Sequence, residues 1–155
     1  MKIEVFSAFN QEVEKRWKEF ETIASGTPFQ SFTWLSHWQN TVGLPLHSIQ
    51  PQIVMVQNEK EIMALFPLGI RKTWGISVLE WLGGQHADYM GPLLGNNWEN
   101  MASNFPQYWQ KTLDKLLPFD VIHFQKQLGK TGGIDNSFLS IMKNRKHLYS
   151  YQSKL

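Results

Sequence analysis

An α/β fold in one domain, a mixed and mostly antiparallel twisted sheet flanked by helices, is what the sequence predicts, and three observations predict it. The chain opens on strand-type alternation and passes into two stretches of helical spacing. From Gln52 the hydrophobic period falls to that of strands and stays there to Leu82. Beyond Asn97 the helical period returns, and an apolar run, Asp120 to Gln125, follows it. Strands joined by short polar turns pair antiparallel, which sets the main character of the sheet.

Lys2 to Ala8 alternates, with Ile3, Val5 and Ser7 on one face, and reads as the first strand. Asn10 offers a side-chain oxygen to the open amides of a helix, Glu12 and Glu14 suit its positive first turn, and Val13, Trp17, Phe20 and Ile23/Ala24 form its apolar stripe. Gly26 is its expected stop. Ser31 or Thr33 caps a second helix carrying Leu35, Trp38 and Val42 with Trp34 beside them, and Gly43 is expected to end it. Gln52 to Gln57 and Glu61 to Lys72 form a hairpin about the turn at Asn58-Glu59-Lys60. Pro67 cannot donate to a ladder, so an edge or a bulge is expected there. Ser77 to Leu82 and Met90 to Leu94 follow as strands, then a helix between Asn97 and Leu117 that Pro106 either kinks or restarts. Asp120 to Gln125 reads as a buried strand, Leu128 to Asn136 as a glycine-containing loop, and Ser137 to Asn144 as a last short helix.

At 155 residues the chain suits one domain that needs no staples. Fifteen basic against thirteen acidic residues leave a formal charge of +2, too weak to point to nucleic acid or an anionic membrane. No run of about 18 apolar residues could span a bilayer, so no membrane insertion is expected. The first fifteen residues lack the continuous apolar stretch of a signal peptide, and the absence of cysteine excludes thiolate chemistry and fits a cytoplasmic protein. Seven Trp and ten Phe suit a thick core, a stacking surface or a face buried by a second domain.

Ala64 to Leu94 holds the candidate site. The strand ending at Leu82 breaks at Gly83-Gly84, and Gln85, His86, Asp88 and Tyr89 follow within five positions. Polar groups just past a strand end are held by the scaffold while the loop stays open, the usual setting of a ligand contact. The plainer alternative is a tight turn in which Asp88 closes a local hydrogen bond. Gly129-Lys130-Thr131 has the ending of a phosphate-binding loop, but Phe124 stands where the motif needs its first glycine. His86 and Asp88 have no partner histidine at ligand spacing, so no metal is expected, and His123 on its strand reads as a core or sheet-surface residue. No serine sits in a Gly-x-Ser-x-Gly setting. Lys143 to His147 reads as a solvated, basic helix end.

The order strand, two helices, three antiparallel strands, helix, strand, helix resembles the GNAT acyltransferase fold. Thr27-Pro28-Phe29-Gln30-Ser31-Phe32-Thr33-Trp34-Leu35, Leu65-Phe66-Pro67-Leu68, Leu79-Glu80-Trp81-Leu82-Gly83-Gly84 and Asp88-Tyr89-Met90-Gly91-Pro92-Leu93 occur in an order that resembles the N-terminal half of the CelD/BcsL acetyltransferases associated with cellulose biosynthesis. These bacterial cytoplasmic enzymes carry two GNAT-like domains in tandem and are similar in plan to the Fem-type aminoacyltransferases. The resemblance covers residues 1–145, with 146–155 as a tail or the start of a linker to an absent second domain.

What the resemblance implies is an N-acetyltransferase of polysaccharide or cell-envelope precursor synthesis that uses acetyl-CoA or another acyl-CoA, with this domain shaping the acceptor pocket. Trp34, Trp81, Gln85, His86, Asp88 and Tyr89 are then the expected contacts to a sugar or amine acceptor, with Asp88 or His86 as a general base. The family's pyrophosphate turn, Arg/Gln-x-x-Gly-x-Gly/Ala, has no counterpart, since no Arg or Gln has Gly three positions later. The expectation is therefore a domain without its own cofactor, inactive alone, working with a second GNAT domain or a second copy of itself. Two other classes stay open. One is a structural or interaction domain that buries its aromatic surplus against another chain, and the other is a carbohydrate-binding module that presents tryptophans in a row.

Overall fold

A computed structural model describes residues 1–59 and 61–141 of the chain. Its centre is a six-stranded sheet in the order β1-β2-β3-β4-β6, formed by Lys2–Phe6, Gln50–Asn58, Glu61–Thr73, Ile76–Trp81 and Val121–His123, while the short β5, Leu93–Leu94, pairs with β3. All pairs are antiparallel except β4 with β6, whose register runs from Val78↔Val121 to Glu80↔His123. The chain is thus α/β, with a mixed and mostly antiparallel sheet.

Helices cover both faces. Residues α1 (Gln11–Glu21) and α2 (Phe32–Trp38) bury Val13, Trp17, Phe20, Leu35 and Trp38 against Ile53, Met55 and Leu65 on one face. Asn10 Oδ1 accepts from the Val13 amide at 2.9 Å and Ser31 Oγ from the Trp34 amide at 3.3 Å, so the expected caps begin both helices. On the other face α4 (Glu99–Ala102), α5 (Phe105–Leu113) and α6 (Phe138–Ile141) close over Val54, Val56, Phe66 and Leu79. The Phe66 ring meets Trp98, Phe105, Trp109 and Phe138 edge-on at centroid distances of 5.0 to 6.3 Å, the tilt that the ring quadrupole favours. Most of the aromatic surplus is therefore core: Trp17, Trp38, Trp81, Trp98 and Trp109 are buried.

The structure departs from the sequence reading in several places. Gly43 does not end the second helix; a π turn, Gln39–Gly43, carries the chain into α3 (Leu44–His47), which ends at the left-handed Ser48. Glycine is required at 43 because a Cβ would lie 2.8 Å from the Trp38 ring. Helix α1 ends at Glu21, ahead of Gly26, and Ile23 stands exposed.

Pro67 lies inside β3, away from any edge or bulge. It pairs with Ile53 on one side, and on the other its carbonyl accepts from the Leu82 amide at 2.9 Å. An extended residue turns N and O to the same side, so the missing donor falls in the gap where the second neighbour of β3 changes from β4 to β5. The register shift sits instead between Val56 and Gln57.

Two further departures concern the C-terminal third. Strand β6 borders the sheet and is not buried, with Val121 47% exposed and His123 on the surface. The expected loop at Leu128 to Asn136 contains a small hairpin, β7 (Lys130–Thr131) with β8 (Ile134–Asp135), turning on Gly132-Gly133, both with positive φ. Pro106 restarts a helix, in the first turn of α5. The basic cluster Lys143 to His147, the end of the predicted last helix and the tail 146–155 lie outside the described residues.

Candidate functional site

The parallel pair β4/β6 ends at one edge of the molecule, and both strands open into loops there. Open sheets place their ligand crevices at such carboxyl ends. After Trp81 the chain turns at Gly83 (φ 115°), makes a single 3-10 turn over Gly84–His86, and returns through Ala87 to Met90. Three groups from other elements hold this loop. Lys126, itself left-handed at φ 55°, donates through Nζ to the Ala87 carbonyl at 2.8 Å and the Gln85 carbonyl at 3.2 Å. The Met90 amide donates to the Lys126 carbonyl at 3.0 Å. Gln30 Nε2 donates to the Tyr89 carbonyl at 3.1 Å, and Gln30 Oε1 accepts from the Thr27 amide, so the loop is tied to the turn that precedes α2.

Helix α2 supplies the other wall. A Cβ at Gly83 would lie 3.2 Å from the Trp34 ring and 3.0 Å from Ala87, and one at Gly84 would lie 3.0 Å from Trp38. Trp34 is half-buried at the seam of the two core clusters and meets Phe29 edge-on. The buried Trp38 donates its indole N–H to His86 Nδ1 across a long 3.4 Å. An indole nitrogen only donates, so Nδ1 is the bare nitrogen and the neutral ring carries its proton on Nε2. In that tautomer His86 has a donor to offer, and Asp88 nearby in the chain has only acceptors.

The side chains of Gln85, His86, Asp88 and Tyr89 are all exposed, and among the described residues those of Gln85, Asp88 and Tyr89 make no hydrogen bond. The alternative in which Asp88 closes the turn is thereby not observed. Trp81 is the exception in the predicted set. It is 2% exposed, stacks on Phe124 at 4.5 Å and meets Phe138 edge-on at 5.0 Å, so it is a core residue and no wall for a ligand. Its Nε1 is buried without a partner among the described residues.

Gln30, Trp38 and Lys126 are the site-building residues that sequence reasoning missed. Gln30 stood inside a quoted motif, and Trp38 carried only the helical period of a core residue. Lys126, one position past a predicted strand, gave no signal, because its role depends on a loop some forty residues away in the chain.

Among the described residues no group of three His, Cys, Asp or Glu could hold a metal ion. No described helix is long and apolar enough to cross a membrane. Comparison of the chain with protein-family models, curated proteins and solved structures returns no match.

Proposed function

We propose that this chain is a GNAT-like domain that forms the acceptor side of an N-acyltransferase acting on a polysaccharide or cell-envelope precursor, without an acyl-CoA site of its own. What supports the reading is the order β1-β2-β3-β4-β6 with a single parallel pair reached through a helix, and an exposed polar loop at the carboxyl end of that pair. At the segment Gly91–Asn97, where the resemblance implies the pyrophosphate turn, the engaged amides support a domain without its own acyl-CoA site. The Leu94 amide is bonded to Ser25, that of Gly95 to Met63 and that of Trp98 to Gly95, and Pro92 has none to offer. No step is routed through the cofactor. This chain's part is to seat an amine or sugar: Trp34 offers a ring edge, His86 Nε2 and the Gln85 amide donate to hydroxyls, and the Asp88 carboxylate receives an ammonium or accepts its proton.

The test has two arms on the 155-residue protein. Acetyl-CoA titrated by calorimetry is expected to give no saturable heat, and glucosamine is expected to shift the NMR signals of Trp34 and of Gln85 to Tyr89. Saturable acetyl-CoA binding would overturn the cofactor-free reading; silence of those signals would overturn the acceptor role.

A second reading, an interaction domain without catalysis, is favoured by one feature. Trp74 is 98% exposed at the β3–β4 tip, and Ile76 at 45% and Val121 at 47% stand exposed on the same face of β4 and β6. A monomeric mass at high micromolar concentration argues against it. The tryptophan-row module has no such support, since Trp17, Trp38, Trp81 and Trp109 are buried.

A further inference from the structure

At the end of the sheet where β2 turns into β3 there is a cleft of about 350 Å³, between α1, the β2–β3 hairpin and the segment Gly95–Asn97. This is the size of small-ligand pockets at their lower limit. Its floor is apolar, with Phe20 and Met63 buried and Ile62 partly so, and Ile23 stands 63% exposed at the rim.

Three of its polar side chains, Gln57, Glu19 and Glu61, have no protein partner among the described residues. Gln57 lines the cleft, is only 8% exposed, and its side-chain amide makes no hydrogen bond among the described residues. Strand alternation puts Gln57 on the α1 face of β2 with Ile53 and Met55, and the register shift, from Val56↔Ala64 to Gln57↔Ile62, sets it opposite Ile62. Glu19 and Glu61 also line the cleft, and among the described residues neither carboxylate is ion-paired, the one on Glu19 included although Lys15 lies one turn before it. Arg16, the guanidinium in the wall, is already taken by Glu4 at 2.7 Å and Glu12 at 3.0 Å. Among the described residues the unpaired charge lining the cleft is therefore negative.

We propose that this cleft binds a small primary amine carrying a short apolar chain, its ammonium held by Glu19 and Glu61 and its chain laid over Phe20, Ile62 and Met63 beside the Gln57 amide. The proposal goes beyond the acceptor reading and stands without it, because the cleft lies away from the Gly83–Met90 loop and shares no residue with it.

The experiment is an amide and side-chain NMR titration of the full chain with n-hexylamine, with hexanoate of the same length as control. Expected are saturable shifts at the Gln57 side chain, Ile62, Met63 and Gly95 to Asn97, absent with hexanoate. The double variant Glu19→Gln/Glu61→Gln alters two exposed side chains and so keeps the fold; it is expected to bind at least tenfold more weakly. Equal binding of hexanoate, unchanged affinity in the double variant, or shifts that rise linearly without saturation would each overturn the proposal. Shifts confined to Gln85–Tyr89 would overturn it too, and leave the acceptor reading standing.

Discussion

Gly83 holds φ at 115° with the Trp34 ring and Ala87 close above its α-carbon. Any L side chain there meets both an unfavourable backbone and an occupied space, so Gly83→Ala is expected to cost about 1–3 kcal/mol. Urea unfolding measures it, and a loss below about 0.5 kcal/mol would contradict the packing described. Glu4 is a titratable group whose partners link it to stability. Its hydrogen bond to Lys2, at 2.6 Å, and the nearby Arg16 guanidinium hold its carboxyl below the usual range, against the opposing pull of burial. A folded-state value depressed in this way stabilises above the unfolded value of about 4.3 and is lost as pH falls through the folded value. Glu4→Gln is expected to lose about 1 kcal/mol at pH 7, a deficit that shrinks below about pH 4. A deficit independent of pH would remove the charge from the explanation. At this scale the sequence showed which polar side chains crowd one loop. The strand period of Trp81 suits burial, but its place next to that loop made it a candidate wall as well, and only its stacking on Phe124 and Phe138, far along the chain, makes it core.

The Gly83–Met90 loop is an element without regular structure that borrows order from its neighbours. Lys126 supplies two of its bonds, and the backbone pair Met90 to Lys126 remains when that side chain is changed. Lys126→Met is therefore expected to raise amide exchange at residues 85–90 about tenfold or more while the β2–β3 amides keep their rates, local opening being cheaper than global unfolding. Uniform acceleration across the sheet would mean that the lysine holds the whole fold and not the loop. The regular elements were the more legible part of the sequence. Asn10 and Ser31 announced their helices because a cap is a local interaction, and the β2–β3 hairpin followed from period and turn residues. Pro67 and β6 were misread for one shared reason. Whether a strand position lacks a neighbour is decided by where other strands end, and no window of the sequence around Pro67 or Val121 contains Leu82 or the border of the sheet.

Over the whole molecule, aromatic side chains divide the labour between stability and surface. Phe66 stands at the centre of four edge-on rings, so Phe66→Ala is expected to cost about 3–5 kcal/mol, whereas Trp74→Ser is expected to change stability by less than about 0.5 kcal/mol. Matched denaturation curves decide it; comparable losses would place Trp74 against structure it does not touch. The sequence counted seven tryptophans but could not sort them by exposure. That sorting makes the protein its own instrument. With five indoles sealed in the core, one at the seam and one fully in water, the red edge of the emission and its quenching by iodide belong mainly to the β3–β4 tip. Anything that settles on that tip will turn the emission blue and shield it from the quencher, without a label being added.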